Sequence, residues 1–271
     1  MLYFVPTPIG NLADISYHAL EILQKSEIIL CEDTRVGKKL LSLLSSKFDI
    51  NFGEKSFFSV HSHNETAFLS QIDTQILREK DCVFMSDAGM PCICDPGREI
   101  VNFALKNDIK YEILTGANAT ILAVAASGII EKEFVFLGFL PNTGAQRKIA
   151  IQNALNLSVP CVIYESPKRI LQLIENFAKI APEREIFLIK EATKKFETKF
   201  RANAEEMVQI LSRANLSGEW VCVVDKSPNL ACETITCDEI LALDIPPKQK
   251  AKLLAKITGE DVKKIYEKLT K

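Results

Sequence analysis

The sequence predicts an α/β protein with largely parallel sheet, and three observations carry that prediction. Short runs rich in β-branched, aromatic and cysteine residues recur at 2–5, 28–31, 57–60, 82–85 and 111–114. Between them, 16–25, 36–45, 65–78 and 98–106 space apolar residues three and four apart, as amphipathic helices do. The chain has 271 residues, 47% hydrophobic and 25% charged, enough to bury more than one core. Strands joined through helices pair in parallel, because the helix carries the chain back to the starting end of the sheet.

The rhythm restarts after Gly116, with a helix at 119–126, a strand at 134–139, a helix at 145–155, a strand at 161–164 and a helix at 168–180. Its character then changes. Runs at 186–190, 195–201 and 220–224 read as strands with a single helix, 204–212, among them, so the second sheet is expected to be mixed. The expected domains are 1–112, 113–229 and a basic helical extension, 230–271. In the extension, Pro246-Pro247 precedes helices at 248–257 and 260–269 joined by Thr258-Gly259. It resembles a helix-turn-helix unit in size and charge, and a small helical cap is the favoured reading.

Composition narrows the function. The first residues, Met1-Leu2-Tyr3-Phe4-Val5-Pro6, enter a strand with no basic segment ahead of an apolar one, which argues against a secretory signal and for a cytoplasmic protein. The apolar region 113–130 is interrupted by Thr115, Gly116, Asn118, Thr120, Ser127 and Gly128, so it reads as a buried helix and no membrane span is expected. Eight cysteines contain no Cys-x-x-Cys pair; Cys31, Cys82, Cys161 and Cys222 sit in strand-like runs as small hydrophobes, and no metal site is expected. The net charge of −2 means that any attraction to nucleic acid must be local. The tail carries eight lysines (248, 250, 252, 256, 263, 264, 268, 271), and a second cluster runs through Lys168, Arg169, Lys190, Lys194, Lys195, Lys199 and Arg201.

Polar clusters stand at the ends of the strands. They are Glu32-Asp33-Thr34-Arg35, His61-Ser62-His63-Asn64-Glu65, the loop from Ser86 to Gly97, Thr115-Gly116-Ala117-Asn118, Tyr164-Glu165-Ser166-Pro167 and Lys190-Glu191-Ala192-Thr193. In open α/β sheets ligands bind beyond the carboxyl ends of strands. In Ser86-Asp87-Ala88-Gly89-Met90-Pro91-Cys92-Ile93-Cys94-Asp95-Pro96-Gly97, glycines permit unusual backbone, prolines stiffen the path and two carboxylates can accept hydrogen bonds. Taken alone, this loop is equally a ligand wall or a strand-to-helix connection in which Asp95 caps the next helix. Asp33, Asn64 and Ser166 are likewise placed to act as N-caps. Pro6-Thr7-Pro8-Ile9-Gly10-Asn11 occupies the position of a Rossmann glycine turn but lacks its backbone donors, so a dinucleotide is disfavoured. There is no Walker, Gly-x-Ser-x-Gly or His-Glu-x-x-His pattern.

Together with Gly138-Phe139-Leu140-Pro141 and Gly218-Glu219-Trp220-Val221, the order and spacing of these segments resemble the ribosomal RNA small subunit methyltransferase I branch of the tetrapyrrole methylase superfamily. The resemblance covers essentially the whole chain. It implies a class III methyltransferase fold of two α/β domains, S-adenosyl-L-methionine as cofactor, no metal, a homodimer, and 2'-O-methylation of a decoding-centre cytidine in 16S rRNA within the small ribosomal subunit. It carries cofactor contacts onto Pro8, Gly10, Ser86, Asp87, Ala88, Gly89, Ile93, Gly116, Ala117, Asn118, Leu140, Tyr164, Ala192 and Thr193. Asn11, Glu32, Asp33 and Asn64 fall on the substrate side, with Arg35 for phosphate and His63 or Glu65 as proton acceptor. The chain departs from the pattern at Thr115 to Ala119, in the lack of an acid between His61 and His63, and at Met90, Cys92 and Cys94, where Thr, Gly and Ser are usual. Alternatives are a corrin or porphyrin methylase and a non-catalytic ribosome-assembly protein that binds RNA.

Overall fold

A computed structural model describes residues 1–228 and 236–270, which form two compact units, one ending at Ser227 and one beginning at Pro228. The first unit opens with strand β1 (Leu2–Phe4), a 3-10 turn (Leu12–Asp14), helix α1 (Tyr17–Lys25), β2 (Ile28–Cys31), α2 (Thr34–Phe48) and β3 (Ser56–Ser59). Helices α3 (Glu65–Gln71) and α4 (Thr74–Glu79), β4 (Cys82–Met85), α5 (Arg98–Lys106) and β5 (Tyr111–Ile113) follow. The strands pair in the order β3-β2-β4-β1-β5, all parallel. Successive residues of a strand point to opposite faces, so β1 sends Tyr3 into one core with Ile29, Val83 and Met85, and Leu2 and Phe4 into another with Leu30 and Phe84. Leu20 and Leu23 of α1 and Leu41 and Leu44 of α2 cover the first face, while Leu69, Leu77, Ile100 and Ala104 of α3 to α5 cover the second. Both faces are dry, which is why β2 and β4 are apolar without alternation.

The chain continues through α6 (Ala119–Ser127), β6 (Val135–Phe139), α7 (Gly144–Leu155), β7 (Cys161–Glu165), α8 (Ile170–Ile180), β8 (Glu185–Lys190), β9 (Thr198–Asn203), α9 (Ala204–Ser212) and β10 (Trp220–Val224). This sheet has the order β6-β7-β10-β8-β9; β6 and β7 are parallel and the other pairs antiparallel, as a mixed sheet requires. Helices α7, α8 and α9 pack on the face carrying Ile163, Leu188 and Trp220, and α6 packs on the face carrying Val162, Ile189 and Val223. A bulge between Phe136 and Gly138, where Gly138 has φ +61°, turns the end of β6 and leaves Phe139 exposed. The second unit holds α10 (Cys237–Ala242), α11 (Pro247–Thr258) and α12 (Val262–Leu269) around Ile240, Ala251, Leu254 and Ile265.

Local chemistry explains where the elements differ from expectation. The helix expected at 65–78 is two, because Asp73 accepts from Gln75 N and starts α4 anew. The strand expected at 195–201 begins at Thr198, after a loop in which Glu191 and Thr193 hold positive φ of 54° and 65°. Helix α10 was not anticipated; its signal is the capping box formed by Thr236 and Glu239. Cys31, Cys82, Cys161 and Cys222 are buried, and Cys232 lies outside the described residues. Among the described residues no helix is long and apolar enough to cross a membrane, and no group of three or more potential metal ligands occurs.

Candidate active site

A cavity of about 410 Å3 opens between the carboxyl ends of the first sheet and one end of the second, within the size range of small-molecule sites. Five of the six polar clusters contribute to its wall: Glu32 after β2, Asp87 to Asp95 after β4, Asn118 before α6, Tyr164 to Pro167 around the end of β7, and Ala192 after β8. Ile9 of the first loop, Ala119, Phe139 and the segment Glu219 to Val221 complete it. The cluster after β3, from His61 to Glu65, is absent from the wall.

The loops are held by specific bonds. Thr7 and Gly89 exchange backbone hydrogen bonds of 2.9 and 3.1 Å, so the first loop runs antiparallel to the loop after β4. The Thr7 hydroxyl also accepts from Gly89 N and donates to Ser86 O, with Thr7 only 1% exposed. Gly89 has φ +89°, a left-handed conformation that suits glycine. A Cβ on Gly10 would lie 2.4 Å from the Lys194 side chain and 2.7 Å from Thr193 Oγ1, so glycine permits the first loop to meet the loop after β8. Asn11 N donates to that Thr193 hydroxyl.

The chemistry of the wall is acidic. Five acids line it, Glu32, Asp87, Asp95, Glu165 and Glu219, and among the described residues no lysine, arginine or histidine does. Glu32 Oε1 accepts from Asp87 N, and Asp87 Oδ1 accepts from Asp33 N, both at 3.3 Å. Burial raises both carboxyls above their usual range. Asp95 goes further: burial, then repulsion by Glu32, pushes it up to about 7, while Ser86 pulls in the opposite direction and Asp87 adds to the repulsion. Glu165 is wholly buried and neutralised, its oxygens accepting from Arg147 at 2.7 Å and from Arg169 at 2.8 Å, and the exposed Glu219 pairs with Lys194 at 3.0 Å. Glu165 also accepts from Ser166 N, and the Ser166 hydroxyl is buried beside the cavity without a protein partner.

The structure brings together half of the expected cofactor positions: Asp87, Ala88, Gly89, Ile93, Asn118, Tyr164 and Ala192 line the cavity, with Glu32 from the substrate set. Ser86 lies beneath the loop, its hydroxyl donating to Gly89 O. Gly10, Thr193 and Gly116 support the wall from behind; a Cβ on Gly116 would stand 2.5 Å from Pro6. Pro8, Ala117 and Leu140 are also outside the lining, and Leu140 belongs to the second core. Asn11 accepts from Ala13 N and starts the 3-10 turn. Asp33 caps α2 and pairs with Arg35, whose side chain is 90% exposed. Asn64 fastens its own loop, accepting from His61 N and donating to Ser59 O.

Two carboxylates depart from the roles expected of them. Glu65 is 6% exposed, and its Oε1 accepts from Gly97 N and Ile100 N at 3.1 Å each, so it caps α5 and is unavailable as a proton acceptor. Asp95, expected to cap that helix, faces the cavity. Ser166, Asn64 and Arg169 likewise give no side-chain cap, whereas Asp33 does. The lining residues missed include Asp95, Phe139, Glu165, Ser166 and Glu219 to Val221; their signal lay in the loop after β4 and in the Gly-Phe-Leu-Pro, Tyr-Glu-Ser-Pro and Gly-Glu-Trp-Val strings. Cys92 and Cys94 adopt φ of 69° and 63°, which accounts for the discomfort of a side chain where glycine is usual at Cys92.

Comparison with known proteins agrees with this architecture. The family model "Tetrapyrrole (Corrin/Porphyrin) Methylases" matches residues 1–208. A ribosomal RNA small subunit methyltransferase I from Campylobacter fetus is 59% identical, with 99% of each chain covered. One from Helicobacter pylori J99 is 39% identical over 98% of this chain and 96% of its own. Among solved structures, a uroporphyrin-III C-methyl transferase from Thermus thermophilus complexed with S-adenyl homocysteine shares the fold, with a TM-score of 0.55, 14% identity, and coverage of 82% of this chain and 96% of that one. The chain thus belongs to the tetrapyrrole methylase family, in its ribosomal RNA small subunit methyltransferase I branch.

Proposed function

We propose that the protein transfers the methyl group of S-adenosyl-L-methionine to the ribose 2'-hydroxyl of a decoding-centre cytidine in 16S rRNA, acting on the small ribosomal subunit as a homodimer. The observation that carries the cofactor is the sign of the cavity. Three carboxylates outside any ion pair and, among the described residues, no cationic side chain face a space of about 410 Å3, which suits a ligand bearing a sulfonium and an ammonium group and repels a phosphate. The orphaned Ser166 hydroxyl leaves one further hydrogen-bonding site for that ligand. Relatives that match the chain end to end carry the rRNA methyltransferase name, which supports RNA over a tetrapyrrole as the acceptor.

When bound, the cofactor supplies a methyl group on a positively charged sulfur, ready for in-line displacement. Glu32, Asp87 and Asp95 would hold its cationic part, with Ala88, Gly89, Ile93, Asn118, Tyr164 and Ala192 against the remainder. The walls would shield the reacting groups from water and position the acceptor oxygen, the main source of rate in such a transfer. His63 is the retained candidate for taking the hydroxyl proton at its imidazole; its ring lies 6.0 Å from that of His61 on an exposed loop. Arg35 is the candidate for RNA phosphate, and Asn11, Asp33 and Asn64 shape the loops beside it.

The test supplies methyl-labelled cofactor with small subunits, naked rRNA and a tetrapyrrole in parallel, followed by nuclease digestion and mass spectrometry. Label on a cytidine ribose is the expected result. Label in the tetrapyrrole alone, or no cofactor binding by calorimetry, overturns the proposal.

A further inference from the structure

The helices α10 to α12 pack around their own four-residue core, and the methylase family model ends before them, at residue 208. Helix α11, Pro-Lys-Gln-Lys-Ala-Lys-Leu-Leu-Ala-Lys-Ile-Thr, has no acidic residue. Ala251, Leu254 and Ala255 point to the core, and Lys248, Lys252 and Lys256, four residues apart, form an exposed row along the adjoining face. Lys263 and Lys264 add two exposed charges in the first turn of α12. The unit's other described lysines are engaged: Lys268 pairs with Glu260 at 2.9 Å and Lys250 donates to Leu241 O. Among the described residues, none of these five has a carboxylate partner.

Folding alone does not require that row. Three like charges at four-residue spacing repel one another along a helix, and an acid between them would relieve the repulsion. A phosphate backbone does the same when it docks. The comparisons mark the unit as an addition to the methylase fold: the Campylobacter fetus and Helicobacter pylori relatives match 99% and 98% of this chain, whereas the porphyrin enzyme covers 96% of its length on 82% of this chain, about the share of the first unit, and another relative named for rRNA covers 99% of its length on 86%.

We infer that the α10–α12 unit is an RNA-docking module in which Lys248, Lys252 and Lys256, assisted by Lys263 and Lys264, engage the phosphate backbone of the substrate RNA. The inference deepens the proposed function and rests on its RNA substrate. The contacts are sequence-independent and raise the affinity for RNA without touching the transfer step.

The test is the full-length triple variant Lys248→Gln, Lys252→Gln, Lys256→Gln, beside the triple arginine variant; glutamine and arginine both keep helix propensity. Unchanged cofactor affinity and melting temperature certify the fold. The glutamine variant is expected to raise KM for RNA roughly tenfold at physiological salt, to leave kcat at saturating RNA unchanged, and to flatten the slope of log K against log salt by about 2–3. The arginine variant is expected to behave as the parent. An unchanged KM and salt slope, or a loss of binding to assembled subunits but not to naked rRNA, overturns the inference. Equilibrium binding to labelled rRNA reads the docking role even if the parent methylates nothing, so that result would sink the proposed function alone.

Discussion

Asp95→Asn tests the electrostatic reading of the cavity. The Asp95 carboxyl has been lifted from 3.8 to about 7, by burial first and then by the neighbouring acids. A bound sulfonium stabilises its charged form, so cofactor affinity must rise with pH through that value. One pH unit below it, only about a tenth of the carboxyls are ionised, and affinity for S-adenosylmethionine at pH 6 should be roughly tenfold lower than at pH 8. The groups that titrate or carry charge around it are Glu32 and Asp87 from the first sheet, Tyr164, Glu165 and Glu219 from the second, and Cys92 and Cys94 on its own loop. S-adenosylhomocysteine, which lacks the sulfonium charge, should show a shallower dependence. Stability of the unliganded protein must run the other way. A carboxyl whose folded value is raised binds its proton more tightly when folded, so its contribution falls as pH climbs from about 4 to about 7. Such a shift corresponds to ~4 kcal/mol, of which solvent at the cavity mouth leaves about 1–2 kcal/mol. Calorimetric titration and thermal melts at pH 6 and pH 8 measure both trends. The asparagine variant should melt higher at pH 8, bind the cofactor at least tenfold more weakly there, and lose the pH dependence. Equal affinity at both pH values in the parent, or an unaffected variant, would refute the reasoning.

Three further outcomes are expected. Asp87→Ala should weaken cofactor binding about tenfold with little change in melting temperature, since the Asp87 side chain bonds only Asp33 N, and its backbone bond to Glu32 is kept; calorimetry decides. Glu65→Gln should cost about 1–2 kcal/mol of stability by weakening two charge-assisted bonds to α5, with kcat retained below the melting point, as denaturant unfolding and turnover would register. Glu165→Gln leaves two guanidinium groups without a buried counter-charge and should cost about 3–5 kcal/mol, whereas Arg169→Lys, at the more exposed partner, should cost under about 1 kcal/mol.

Much of this fold was legible because dry strands and half-buried helices impose different periods on the sequence. The parallel first sheet, the mixed second sheet and the strand-end clusters all follow from that contrast. The site was less legible, and Glu65 with Asp95 shows why. Both are acids near the start of α5, and local sequence favours the nearer one as its cap. The cap instead comes from 32 residues away, because the chain between folds back to place Glu65 above the first turn. The supporting role of Gly10 and Thr193 was similarly opaque: it lies in the meeting of two loops, sealed by the Asn11 N to Thr193 Oγ1 bond across 182 residues, that no local pattern encodes. Polar type at a strand end could be read directly, but whether the side chain faced the cavity or its own backbone depended on partners supplied from afar.

The two-way bridge between Thr7 and Gly89 gives an otherwise parallel sheet one antiparallel rung beyond the ends of β1 and β4. Its backbone amides are each locked to the other loop, so neither can open while the other stays closed. Local unfolding should therefore release both walls in a single step, and hydrogen exchange at Thr7 and Gly89 should proceed at one common rate. Bound cofactor would slow the two together, turning two loops distant in sequence into one dynamic element.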